Sequence, residues 1–121
     1  MAENDPPFWA FCHFLNKAYY TGTNGNARKF AEEMERSGTA DLIRKESGNL
    51  RYAYFFPMDD PETVLLIDMW KDQQSIDLHH ASPMMKTIAW LRERYDLHMR
   101  AERYVTDESG GPASDSTFLR L

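Results

Sequence analysis

The chain has 121 residues, 42% of them hydrophobic and 13% aromatic, which suits one domain with a packed core and excludes a disordered chain. Fourteen Lys and Arg against nineteen Asp and Glu leave a net charge of −5, and no basic stripe interleaved with aromatics is present, so nucleic acid is not an expected partner. The single cysteine, Cys12, precludes an internal disulfide, and no secretory leader pattern or run of ~20 apolar residues occurs, so the expectation is a soluble, cytoplasmic protein with no membrane contact.

In chain order, Met1 to Pro7 reads as a loose polar leader, residues 8–106 as one domain, and residues 107–121 as a flexible tail. The aromatic octet Phe8 to Leu15 predicts a first strand. Thr21 to Asn26 is turn chemistry, after which Ala27, Phe30, Ala31 and Met34 repeat at helical spacing. Ser37-Gly38 interrupts that helix, Thr39 offers a cap for a second one through Ala40 to Ser47, and Gly48 reads as its left-handed C-terminal stop. Leu50 to Phe56 alternates as a strand, Pro57 to Pro61 closes a loop, and Thr63 to Trp70 is nearly continuous in apolar residues, as a strand covered on both faces would be. Asp72 caps a short helix presenting Ile76, His79 and His80. Ser82-Pro83 starts a longer helix with the stripe Met84, Met85, Ile88, Leu91 and Tyr95. A last strand runs from His98 to Thr106, and Phe118 to Leu121 is apolar enough to hook onto a neighbour.

Strand, helix, strand, strand, helix, strand is the split βαβ order of an α+β, ferredoxin-like domain with a four-stranded antiparallel sheet. Two main helices cover one face of such a sheet, yet the first three strands carry apolar residues on both. At roughly 25 cal/mol per Å², leaving several hundred Å² of that second face wet would forfeit on the order of 10 kcal/mol, so a homodimer packed sheet face to sheet face is expected.

Alternation places Asp68 and Trp70 on one face of their strand, and a helix folded back over it brings His79 or His80 beside them. The two imidazoles lie about 100° apart around a helix, so only one can face a pocket squarely. An acid, an indole and an imidazole in an apolar hollow suit a small aromatic ligand. The expected wall is Trp70 as stacking platform with Leu66, Ile76, His80, Met85, Ile88 and His13 around it. Asp68, as a carboxylate on an apolar strand, requires a hydrogen-bond partner. His13, His79 and Asp68 together would satisfy a two-histidine, one-carboxylate iron set, but no ligand-spacing motif such as His-Glu-x-x-His occurs, and neither metal nor cofactor is expected.

Gly48-Asn-Leu-Arg-Tyr52, Asp68-Met-Trp70-Lys-Asp72, and His79 followed by Ser82-Pro83 resemble the antibiotic biosynthesis monooxygenase domain family over residues 8–106. The resemblance implies a dimeric α+β barrel and cofactor-independent oxidation of quinols or polyketide phenols by molecular oxygen; the family also holds haem degraders and a sugar-phosphate-type isomerase. Departures from its pattern are visible. The usual glutamate two before the tryptophan is Asp68, and the histidine after Ser-Pro is Met84. Of the Asn, Trp, Tyr and Arg that polyketide oxygenases place around substrate, only Trp70 remains, the others reading Leu66, Ile76 and Trp90. The axial histidine of haem degraders falls near Ala89, which disfavours haem. The implied activity is cofactor-free oxygenation of a small quinol or aromatic phenol, with His79 as base, Asp68 orienting or charge-balancing it, and Trp70 stacking on the ring. The alternatives are a non-catalytic small-ligand-binding dimer and a cofactor-free isomerase of a small carbonyl compound, whose phosphorylated substrate would need Arg or Lys in the pocket.

Overall fold

The computed structural model describes residues 12–108 and 110–120. Four strands form one sheet: β1 (Phe14–Thr21), β2 (Asn49–Phe55), β3 (Thr63–Trp70) and β4 (His98–Val105), in the order β2-β3-β1-β4 with all neighbours antiparallel. Helices α1 (Asn26–Arg36), α2 (Thr39–Arg44), α3 (Gln73–His80) and α4 (Met84–Arg94) connect them. This is the expected α+β, ferredoxin-like arrangement. No described helix is long and apolar enough to cross a membrane.

The first strand lies further along than the aromatic octet suggested. Residues 8–11 of that octet fall outside the described residues, Cys12 and His13 precede β1, and the strand runs to Thr21. Its extent follows from pairing: β1 meets β3 residue for residue, from Phe14 opposite Trp70 to Thr21 opposite Thr63. The segment alternates rather than running apolar throughout. Positions 14, 16, 18 and 20 of β1, 64, 66, 68 and 70 of β3, and 52 and 54 of β2 share one face, where Tyr20, Tyr52, Val64, Leu66 and Trp70 are buried. Against them pack Ala27, Phe30, Ala31 and Met34 of α1, the stripe expected of that helix, with Ile43 of α2, Ile76 of α3, and Ile88 and Leu91 of α4, the last two from the expected α4 stripe. Leu15, Leu65, Ile67 and Met69 point to the opposite face and are only half-buried.

Several local expectations need correcting. Thr39 does not cap α2. The preceding residue, Gly38, holds φ +83°, a left-handed angle that favours glycine, and Thr39 is buried inside the helix with its hydroxyl 2.8 Å from Ser37 Oγ. The helix also ends at Arg44 rather than Ser47. Gly48 is not a left-handed stop but a point of close approach: a Cβ there would lie 1.8 Å from Ser75 Oγ and 2.1 Å from Ser75 Cβ. Ser82-Pro83 precedes α4 without capping it through a side chain, and Ser82 Oγ is buried without a hydrogen-bond partner among the described residues. Beyond β4, residues expected to be structureless include a 3-10 helix, Ala113–Phe118, that buries none of its side chains.

Candidate functional site

Helix α3 is fixed to the sheet at its N-terminus. Asp72 Oδ1 accepts from Ser75 N at 2.8 Å and Ser75 Oγ at 2.6 Å, the cap expected from sequence, and the bare backbone of Gly48 lets Ser75 pack flush against the segment before β2. One turn after Ser75 comes His79. Its ring stacks on Trp70, with centroids 4.6 Å apart and planes inclined by 30°. His79 is 5% exposed and Trp70 1%, whereas His80 is exposed on the rim. The question of which imidazole turns inward is thus settled in favour of residue 79.

The carboxylate bonded to His79 is Glu46, not Asp68. Glu46 Oε1 lies 2.9 Å from His79 Nδ1, and both side chains are largely buried. A carboxylate only accepts, so Nδ1 is the donor in this contact, and in the neutral ring Nε2 is the basic atom. Nothing in the sequence flagged Glu46. It lies 33 residues away in the connection from α2 to β2, and a single glutamate in a polar stretch carries no periodic signal.

Asp68 stands apart from that pair. Its Oδ1 is buried without a hydrogen-bond partner among the described residues. Burial raises its pKa above the ordinary aspartate value, opposed by the side chains of Trp70 and Asn16 and by the two nearby imidazoles. Tyr20 and Tyr52 are fully protonated donors here: burial pushes the Tyr20 phenol up to about 12 and the Tyr52 phenol higher still.

These groups wall a cavity of about 300 Å³ between the helix-covered sheet face and helices α3 and α4. Asp68, His79, Trp70, Leu66, Ile76, His80, Met85 and Ile88 all line it, so the strand alternation and helical spacing brought the expected residues together. His13 does not: it precedes β1, its backbone N–H donates to Thr106 Oγ1 at 2.9 Å, and it is absent from the cavity wall. The iron set His13, His79 and Asp68 is therefore not assembled, and among the described residues no cluster of three or more His, Cys, Asp or Glu could hold a metal ion. The sequence reading missed Asn16, Ala18 and Tyr20, which follow from the alternation of the correctly placed β1. It also missed Gln73, Arg92, Met99, Ala101 and Arg103. Arg92 follows Ile88 by one helical turn, and Met99, Ala101 and Arg103 alternate on β4, so both signals were present. A wider open groove of about 730 Å³ between α1 and β2 is lined by Tyr54, Phe55, Phe56, Glu32, Glu35 and Arg36. It holds no imidazole, and Glu35 there is committed to Arg44.

The family model for antibiotic biosynthesis monooxygenases matches residues 14–89. No curated protein matches the sequence. Among solved structures, a conserved protein of unknown function from Bacteroides thetaiotaomicron superposes with a TM-score of 0.69 at 13% identity, over 80% of this chain and 100% of that one. A conserved protein from Methanosarcina mazei gives 0.66 at 23% identity, over 80% and 95%. SnoaB, a cofactor-independent oxygenase from Streptomyces nogalater, gives 0.60 at 17% identity, over 78% and 90%. At these identities the superpositions establish the fold alone.

Proposed function

The chain belongs to the antibiotic biosynthesis monooxygenase family, and we propose that it is a cofactor-free monooxygenase acting on a small quinol or aromatic phenol. The observation that carries this reading is an imidazole fixed by a buried carboxylate and stacked on an indole in the wall of a largely apolar cavity. The similarity to SnoaB, described as a cofactor-independent oxygenase, points the same way.

In the proposed reaction His79 Nε2 takes the phenolic proton while Glu46 holds Nδ1 and stabilises the charge that develops on the ring. Asp68 orients the hydroxyl from the cavity wall, and Trp70 and Ile88 hold the ring. The phenolate donates electrons directly to dioxygen. One oxygen atom forms a new bond at a ring carbon, the hydrogen there is lost, and the second oxygen leaves as water, so a phenol becomes a quinone. Substrate supplies all four electrons, and no external reductant is needed. A base of this kind contributes roughly 10²–10⁴-fold. His79→Ala should lose most oxygen uptake while the protein stays folded; unchanged uptake would remove His79 from the chemistry.

Assembly is part of the proposal. The half-buried Leu15, Leu65, Ile67 and Met69 make an apolar strip along the two central strands of the uncovered sheet face, which supports a homodimer with sheets packed face to face. A second reading rests on Arg92 and Arg103 in the cavity wall, which are what a cofactor-free isomerase would use on a small phosphorylated carbonyl compound. Turnover in the absence of oxygen would identify it.

A further inference from the structure

The cavity carries a cationic bias that oxygenation of a plain quinol does not use. In a chain of net charge −5, its wall holds two arginines and a single carboxylate, Asp68. Arg103 is committed: its Nη2 donates to Gln73 Oε1 at 2.6 Å and its guanidinium lies 4.0 Å from the Phe14 ring centre. Arg92 is not. The residue is half-buried, its one side-chain hydrogen bond among the described residues runs to the thioether of Met99 at 3.9 Å, and no described carboxylate lies within ion-pair distance. A thioether is a weak acceptor and the contact is exposed, so the guanidinium stands at the cavity mouth with most of its donors open to water or to a ligand. Elsewhere in the fold Arg44, Arg94 and Arg100 each meet a carboxylate.

Strand register places this cation relative to the proton-handling end. Asp68 pairs with Asn16, and Met99, which touches Arg92, pairs with Tyr20. Four residues along β1 separate those rows, ~13 Å of strand. Less the reach of a side chain at either end, that span suits one or two fused rings bearing a hydroxyl at one end and an anionic group at the other. Tyr20, close enough to feel the charge of Arg92, adds a neutral donor there.

We infer that Arg92 is a specificity-determining residue that selects hydroxyaryl carboxylates over neutral phenols, with the carboxylate on its guanidinium and the hydroxyl toward Asp68 and His79. One free guanidinium balances one negative charge, which fits a carboxylate better than a phosphate dianion. The inference rests on the aromatic-phenol reading above for its choice of ring, but its test does not depend on turnover. Binding of 6-hydroxy-2-naphthoate and of 2-naphthol to the full chain is measured by calorimetry at low and high salt. A charge-assisted contact corresponds to about ten- to a hundred-fold tighter binding of the carboxylate at low salt. That preference should fall to near unity in Arg92→Gln, survive in part in Arg92→Lys, and persist in Arg94→Gln, which removes a neighbouring exposed charge. Equal affinity for the two probes in the parent protein, absence of binding by the carboxylate, or a preference unchanged in a folded Arg92→Gln would each overturn the inference. A carboxylate preference with no oxygen uptake on any phenol would refute the oxygenase reading and leave the subsite standing.

Discussion

Removing Glu46 tests the site at its least conspicuous member. The Glu46 side chain is 16% exposed and that of His79 6%, so Glu46→Ala strands a buried Nδ1–H without its acceptor 2.9 Å away. An orphaned buried donor costs about 1–3 kcal/mol, and hydrogen bonds to charged groups fall toward the upper end. At ~5 °C per kcal/mol for a domain near 100 residues, Tm should fall by about 5–15 °C, measured by calorimetry at one fixed protein concentration because dimerisation shifts Tm. The imidazole also loses the partner that sets its tautomer and direction, and a displacement near 1 Å costs on the order of 10²-fold in rate. Oxygen uptake should therefore drop in kcat more than it rises in KM. Glu46→Gln keeps an acceptor oxygen of the same reach and should fall between the parent and the alanine variant in both measurements. A Glu46→Ala protein that melts within a degree of the parent and turns over at the same kcat would refute the positioning role, and with it the choice of Nε2 as the proton-accepting atom.

Asp68→Asn separates stability from activity. Burial raises the Asp68 pKa, so the folded protein holds this proton more tightly than the unfolded chain, and stability from this group is lost as pH climbs from the ordinary carboxylate range through the raised value. The variant should thus melt above the parent at pH 7, with the gap closing as pH falls into the carboxylate range, while oxygen uptake drops about 10-fold or more; a lower Tm at pH 7 would contradict the assignment of burial as the dominant cause. Gly48→Ala drives a Cβ to within 2.1 Å of Ser75 Cβ and must push α3 off the sheet, an overpacking cost of about 1–3 kcal/mol or more, visible as a Tm loss together with weakened quenching of Trp70 fluorescence by His79. Unchanged melting would show that α3 is not seated there. Ile67→Glu places a charge on the uncovered sheet face and should convert a micromolar dimer to monomer in sedimentation velocity; a parent protein that is already monomeric would refute the face-to-face assembly.

Much of the site was legible because it rests on short-range rules. The alternation of Thr63 to Trp70 put Asp68 and Trp70 on one face, the Asp72 cap fixed where α3 begins, and the spacing Ile76 to His79 aimed one imidazole inward. What escaped depends on tertiary approach. Glu46 meets His79 only because the connection from α2 to β2 meets α3 at Gly48, where a close contact between Gly48 and Ser75 replaces the turn role that glycine plays more often. Strand β1 was misplaced because the apolar octet outweighed the weaker alternation of Phe14, Asn16, Ala18 and Tyr20, and with it went Asn16 beside Asp68. Arg92 and Arg103 were not singled out: helical spacing from Ile88 and alternation on β4 give the face of each, but their place in the cavity depends on how α4 and β4 pack around Met99.

The most direct measurement is the fate of labelled dioxygen. Protein dialysed against chelator and freed of small molecules is supplied with a panel of phenols and quinols under ¹⁸O₂, and the products are weighed by mass spectrometry. The expected result is uptake of one dioxygen per turnover, one labelled atom in the quinone formed from a phenol, and loss of that label in His79→Ala. Absence of uptake across the panel, products without label, or activity that returns only when metal or flavin is added back would contradict a cofactor-free oxygenase built on His79 and Glu46.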